Sequence, residues 1–410
     1  MPTVAPATDA LGLATQGTHI ETQPTQSLRG WALSGLERVR SLLARETSGA
    51  PIITQLDVLR FVAIALVILH HTRAYYRGYG PVPDDLGWVS QVAALSNCGV
   101  QLFFVISGCV LGIPFARHHL GGEATPRLGR YFLRRLTRLE PPYLLNLLLW
   151  FGLLIVMKGQ SAAELLPHLL ASMTYTHNLV YGSMSAINAV AWSLEVEVQF
   201  YLVMPLLAHL LANKNPLKRR ASFVLLAAVG AYFDSMPDFR IQASLLSQIP
   251  YFSAGIILAD LYVSGALEPG RRLSRTVFDL AGLFALCTML PVFGMGGGLP
   301  TLMTAALFML LVVASFKGNI ARWFGTRPWL AAIGGTCYTA YLYHFMFISR
   351  TRPVVSQIDV GGSFGASLAV TFVLLAIMTF VLCGALFVVT ERPFMRREWT
   401  ERVAKRLGMK

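Results

Sequence analysis

Charge is scarce in this chain: Asp, Glu, Lys and Arg make up 13% of its 410 residues, against 54% hydrophobic, and its mean hydropathy is +0.55. A soluble domain carries about 25% charged residues, so ordinary aqueous packing is excluded and a bilayer is the expected solvent. Acidic residues are the scarcer kind, 21 against 34 basic ones. The five cysteines, Cys98, Cys109, Cys287, Cys337 and Cys383, fall within apolar stretches rather than in outer loops, which leaves no disulfide framework and no zinc spacing. No inverted repeat of the kind found in many transporters is visible. The first fifty residues lack the apolar core and cleavage site of a signal peptide, so the N-terminus is expected in the cytoplasm.

What is abundant is apolar sequence in runs long enough to cross a membrane, for which roughly 20 residues are needed. About ten such spans are predicted, near 54–72, 94–113, 141–157, 187–211, 221–234, 241–263, 276–293, 299–315, 330–349 and 366–390. The fold class is therefore all-α, a polytopic integral membrane protein. Alternating spans put 27 of the 34 Lys and Arg residues on one side. By the positive-inside rule that side is the cytoplasm and holds both termini. The same distribution excludes nucleic acid as the reason for the net charge of +13. Three parts are expected: a cytoplasmic tail over 1–50, with Trp31, Leu36, Val39 and Leu43 at helical spacing in 28–46; a transmembrane domain over 51–395; and a basic cytoplasmic tail over 396–410.

Against this background a few polar residues stand out. Arg60 lies inside the first span, where an Arg costs about 2.5–3.5 kcal/mol on insertion scales, so it must face inward. His71 follows eleven residues later, a rotation only about 20° off register, which puts both on one face roughly 16 Å apart along the axis. His70 points elsewhere, and Asp57 is within reach of the Arg60 guanidinium. In Ala191-Trp192-Ser193-Leu194-Glu195-Val196-Glu197-Val198-Gln199-Phe200-Tyr201, Ser193, Glu197 and Tyr201 form one stripe, Glu195 and Gln199 another. Late in the chain, Tyr341 and His344 share a face beside Tyr338 and Tyr343. Each feature also has a plainer reading: headgroup anchors at the ends of the first span, structural partners for a buried Arg, and an aromatic belt.

Taken in order, these segments resemble the acyltransferase 3 family of integral membrane acyltransferases. The motifs are Leu56-Asp57-Val58-Leu59-Arg60 followed after ten residues by His71; Gly99-Val100-Gln101-Leu102-Phe103-Phe104-Val105-Ile106-Ser107-Gly108; Arg134-Arg135-Leu136-Thr137-Arg138-Leu139-Glu140-Pro141; Trp192-Ser193-Leu194 with Glu197 and Phe200-Tyr201; Tyr341-Leu342-Tyr343-His344; and Glu391-Arg392-Pro393. The resemblance covers about residues 54 to 395. Val58 and Phe61 stand where glycines are usual, Glu195 where a small residue is common, and Val198 where a second glutamate often follows. Glu197 is thus the matching acid and Glu195 an extra one. No hydrolase-like domain follows the last span in this sequence, so the membrane part is expected to complete the transfer or pass the acyl group to a separate protein.

The resemblance implies O-acyl transfer from cytosolic acyl-CoA, a co-substrate rather than a bound cofactor, with no metal. His71, Glu197 and Arg60 are the expected catalytic group, His71 as general base or transient acyl carrier. Asp57, Arg134, Arg135, Arg138, Ser193, Tyr341 and His344 are expected to bind donor or substrate, the arginines suiting phosphates or serving as a topology signal. The expected acceptor is a hydroxyl of a sugar, cell-surface glycan or lipid-linked saccharide, alternatively a small hydroxylated metabolite, and the expected location is the bacterial inner membrane, among membrane lipids. A rival reading makes the intramembrane Arg, His and Glu residues the relay of a transporter.

Overall fold

The computed structural model describes residues 28–46, 52–77 and 87–406. Two compact units divide the chain, residues 1–39 and 40–410. In the first, helix α1 begins and runs on as Leu28–Leu43, with Leu36 and Val39 exposed. The side chain of Trp31 and the rest of the expected N-terminal tail over 1–27 lie outside the described residues, as do 407–410.

The second unit is helical throughout, with no strand among the described residues. Its elements are α2 (Thr54–Arg77), α3 (Gly87–Leu95), α4 (Gly99–Gly121), α5 (Leu128–Lys158), α6 (Ala162–Met173), α7 (His177–Tyr181), α8 (Trp192–Leu207), α9 (Pro216–Asp234), α10 (Phe239–Gln242) and α11 (Leu245–Val263). There follow α12 (Arg272–Gly294), α13 (Gly298–Lys317), α14 (Ile320–Gly325), α15 (Pro328–Gly335), α16 (Cys337–Val355), α17 (Phe364–Thr390), α18 (Arg392–Met395) and α19 (Arg397–Arg406).

Among the described residues eight helical segments are long and apolar enough to cross a membrane, and each coincides with one of the ten predicted spans. The other two, 221–234 and 330–349, fall on α9 and on α15 with α16, which are helical but too polar or too short to meet the same standard. Leu202 and Leu206 on α8, Leu280, Leu283 and Phe284 on α12, and Ile377 and Val381 on α17 are all exposed. Apolar surface on that scale is stable only against lipid. The chain is a multi-pass helical membrane protein.

Two boundaries differ from the sequence expectation. The span predicted from Pro141 begins instead at Leu128: α5 continues through Pro141 and Pro142, so Arg134, Arg135 and Arg138 ride on the same helix as the span. Proline is tolerated in membrane helices because neighbouring groups satisfy the freed carbonyls. The span predicted over 330–349 is broken at Thr336 into α15 and α16. A Cβ on Gly334 would run into the carbonyl oxygen of Asp57, so this segment approaches α2 backbone to backbone.

The same kind of approach joins α4 to α11. A Cβ on Gly108 would meet the carbonyl oxygen of Phe252, one on Gly255 that of Val105, and one on Gly112 the Cβ of Ala259 at 2.9 Å. Small residues four apart on both helices let the backbones close where no hydrophobic effect drives association. Gly255→Leu is expected to destabilise the bundle by about 1–3 kcal/mol or more, the cost of overpacking, and thermal unfolding in detergent reads it. Gly152→Leu, where a Cβ meets nothing within 4 Å, is the control.

Candidate active site

The first-span stripe survives in three dimensions with its two ends in different surroundings. At one end Arg60 makes an ion pair with Asp57, and Arg45 Nη2 reaches the same carboxylate oxygen at 3.5 Å. Asp57 is buried, and both guanidiniums line a cavity of about 300 Å³. Burial and the neighbouring Arg60 lower the Arg45 pKa to about 10, with Asp57 opposing, which leaves Arg45 charged at neutral pH.

Arg134, Arg135 and Arg138 of α5 line the same cavity. Arg138 donates to Glu391 at 3.2 Å, and Glu391, fully buried, also accepts from the Thr339 hydroxyl at 2.7 Å. Arg135 lies 3.7 Å over the Tyr131 ring. Arg134 is the exposed member. Thr400 of α19 lines the cavity too, packed on α5 with its hydroxyl 3.4 Å from that of Thr137. Five arginines against Glu46 and Glu197 make the lining strongly basic, a setting for phosphate oxygens.

Deeper in, the lining changes to Ser193 and Glu197 of α8, Ser107 of α4, and Tyr341 of α16. The Ser107 hydroxyl donates to Glu197 Oε1 at 3.0 Å. Tyr341 donates to the Val190 carbonyl at 3.0 Å, and with that proton committed the Ser193 hydroxyl, 2.7 Å away, donates to Tyr341.

One turn beyond Tyr341 stands His344, its ring centroid 5.7 Å from that of Tyr341 and 5.1 Å from that of His71. Here the far end of the α2 stripe meets α16. Because carbonyls only accept, His344 Nδ1–H donates to the Tyr341 oxygen at 2.8 Å, which leaves the lone pair on Nε2. That Nε2 is buried without a hydrogen-bond partner among the described residues. Phe345 packs edge-on against His71 at 5.1 Å. His70 instead donates from Nδ1 to the Ala94 carbonyl at 2.9 Å.

The structure thus gathers Arg60, Arg134, Arg135, Arg138, Ser193, Glu197 and Tyr341 around one cavity, sets Asp57 behind Arg60, and pairs His71 with His344 just past Tyr341. The ring against His71 is His344, whereas Glu197, the other acid–base member of the expected catalytic group, is bonded to Ser107. Glu195, the extra acid, is buried and accepts from the backbone N–H of Asn178 at 2.9 Å, holding the first turn of α7. Gln199 accepts from Leu245 N at 2.8 Å. Sequence reasoning missed Ser107, Arg45 and Glu391 as site members. The first and last lay within quoted motifs, and a lone acid closing the 27-residue apolar helix α17 was the available signal for Glu391. Cys98, Cys109, Cys337 and Cys383 are buried free thiols and Cys287 is exposed. Among the described residues no group of three or more His, Cys, Asp or Glu side chains could hold a metal ion.

Residues 53–388 match the family described as an acyltransferase domain. Similar proteins include O-acetyltransferase OatA of Staphylococcus aureus (strain NCTC 8325 / PS 47), 24% identical over 319 residues that cover 72% of this chain and 50% of that protein. Peptidoglycan O-acetyltransferase OatA of Listeria monocytogenes serovar 1/2a is 25% identical over 326 residues, covering 70% and 52%. The chain spans about half the length of these curated relatives. No solved structure matches it.

Proposed function

Because the chain belongs to this acyltransferase family, we propose that it moves an acetyl or other short acyl group from cytosolic acyl-CoA to a hydroxyl of a sugar, cell-surface glycan or lipid-linked saccharide at the bacterial inner membrane. The observation that carries the proposal is the contact between His71 and His344, which lies behind Tyr341, a residue that lines the basic cavity. A volume of about 300 Å³ is at the low end for small-molecule sites, enough for the acyl-thioester end of the donor. The nucleotide phosphates would remain at the mouth with Arg134, Arg135 and Arg45, while Arg60, held by Asp57, orients the arm. The names of the relatives, which specify O-acetyl transfer and in one case peptidoglycan, support the acetyl group and a glycan acceptor.

In this scheme the acceptor oxygen attacks the thioester carbonyl, an imidazole nitrogen of the His71–His344 pair takes the hydroxyl proton, the C–S bond breaks, and the CoA thiolate leaves to be protonated. Tyr341, anchored through Val190 and Ser193, is positioned to donate toward the developing oxyanion only if its proton leaves the Val190 carbonyl. It is therefore assigned to shaping the passage between cavity and histidines.

The test is incubation of the purified protein with labelled acyl-CoAs, followed by mass spectrometry of surface glycans from cells with and without the gene. Ion- or substrate-driven flux without acyl-CoA consumption would favour a transporter's relay instead. In the same assay Arg134→Ala is expected to raise KM for acyl-CoA by about tenfold, the value of one charge-assisted hydrogen bond of about 1.5 kcal/mol, with kcat little changed. An unchanged KM would remove Arg134 from the donor site.

A further inference from the structure

A second cavity, of about 250 Å³, opens at the end of the bundle opposite the arginines. Its place follows from chain direction. Asp234 closes α9, whose other end carries Arg219 and Arg220 paired with Asp260 near the close of α11. Gln248 lies in the first turn of α11, and Gly296 and Gly297 join α12 to α13. None of these residues belongs to the site described above.

The lining is polar and almost without charge. Gln248 spends its amide hydrogens on the Gln242 carbonyl and the Ser247 hydroxyl, both at 3.0 Å, so its Oε1 is turned the other way. That oxygen, and Oε1 of Gln101 across the cavity on α4, are buried with no hydrogen-bond partner among the described residues. Gln101 and Gln248 are 8% and 5% exposed. Two buried amide oxygens left as acceptors cost stability unless something donates to them. Asp234, the one carboxylate in the lining, accepts from the Thr301 hydroxyl. No Lys or Arg lines the cavity, while Tyr251 and Phe293 supply aromatic faces. Gly296, Gly297 and Gly298 all have φ between 49° and 65°, a run of left-handed backbone that only glycine adopts at ease, and the lip there carries no side chain.

An anion finds no cation here, and an apolar chain would bury the amide oxygens unpaired. Hydroxyl groups on a ring with apolar faces meet both the acceptors and the aromatics. The cavity is also linked to the histidines. A Cβ on Gly294, beside Phe293, would meet Leu95 of α3 at 2.9 Å, and the preceding Ala94 carbonyl is the one His70 holds. One helix, roughly 10 Å across, therefore separates the cavity from the His70–His71 end of α2.

We propose that this cavity binds a neutral sugar unit of the acceptor, one placed along the saccharide from the unit whose hydroxyl is acylated. This rests on the glycan-acceptor reading above. It makes Gln101, Gln248 and Phe293 determinants of acceptor length, so an oligosaccharide binds more tightly than its monosaccharide.

Calorimetric titration of the full chain in detergent with maltotetraose, cellotetraose and chitotetraose, and with the matching monosaccharides, tests it. At least one tetramer is expected to bind, and Gln101→Leu and Gln248→Leu each to weaken it by about threefold to tenfold, one neutral hydrogen bond apiece, while thermal unfolding of each variant shows that it still folds, Gln248→Leu losing some stability with its bonds to Gln242 and Ser247. Phe293→Ala, at a half-buried position, repeats the test without disturbing a buried amide. Where turnover is measured, the same variants raise the acceptor KM at constant kcat. No saccharide binding, binding unaffected by all three variants, or binding of Na⁺ or Mg²⁺ in place of sugar would each overturn the proposal. Loss of acyl-CoA turnover in the wild type would sink the transferase reading alone, because the titration needs no chemistry.

Discussion

Replacing His71 with alanine is expected to lower acyl transfer by at least about 10²–10⁴-fold, the usual contribution of a positioned general acid or base, while the protein still accumulates in the membrane. The second half follows from packing. His71 touches His344, Phe345 and His70 near the end of α2, whereas the helix is held by Ala63, Ile64, Val67 and Ile68, all buried further in. His344→Ala should produce a loss of similar size, and the double variant little more, because residues acting as one unit are non-additive. Exposure of the protein to labelled acyl-CoA without acceptor separates the two roles of the pair. Label retained on His71 marks a carrier, and its absence with intact turnover marks a base. Full activity of His71→Ala would end the catalytic assignment.

The second large effect is expected at Arg60. Arg60→Gln leaves Asp57 buried with Arg45 3.5 Å away as its remaining partner, and breaking a buried pair costs about 3–5 kcal/mol, so stability falls toward the lower part of that range. Asp57→Gln together with Arg60→Gln removes both charges of the pair and should restore part of the lost stability, the rest being withheld because Arg45 loses its carboxylate partner. It should not restore transfer: kcat/KM is expected to stay down by about ten- to a hundredfold, the value of a hydrogen bond to a charged group. If the double variant transfers normally, Arg60 is a structural ion-pair partner and the donor is oriented by other groups.

Much of this protein was written in local pattern. Scarce charge and long apolar runs dictate membrane helices, since only a helix satisfies its own backbone in lipid. The 3.6-residue period places Arg60 and His71 on one face and Asp57 against Arg60, as found. The motif order was enough to indicate the family that residues 53–388 match. Local pattern reaches no further than one helix. Nothing in the period of α8 says that Glu197 meets Ser107 while Glu195 meets the backbone of Asn178, or that Glu391, nearly fifty residues after His344, holds Arg138. Those partners are chosen by which helices the glycines let approach, as Gly108 and Gly255 do for α4 and α11 and Gly334 does for the segment beside Asp57. Pro141 and Pro142 looked like a helix boundary, but neighbouring contacts in the bundle allow α5 to run through them and carry the arginines to the cavity. His71 was legible as a costly polar residue; that its companion is His344, whose Nε2 is buried without a hydrogen-bond partner among the described residues, was decided by tertiary packing alone, because contact between two helices depends on their mutual rotation and distance, which no periodicity within either helix encodes.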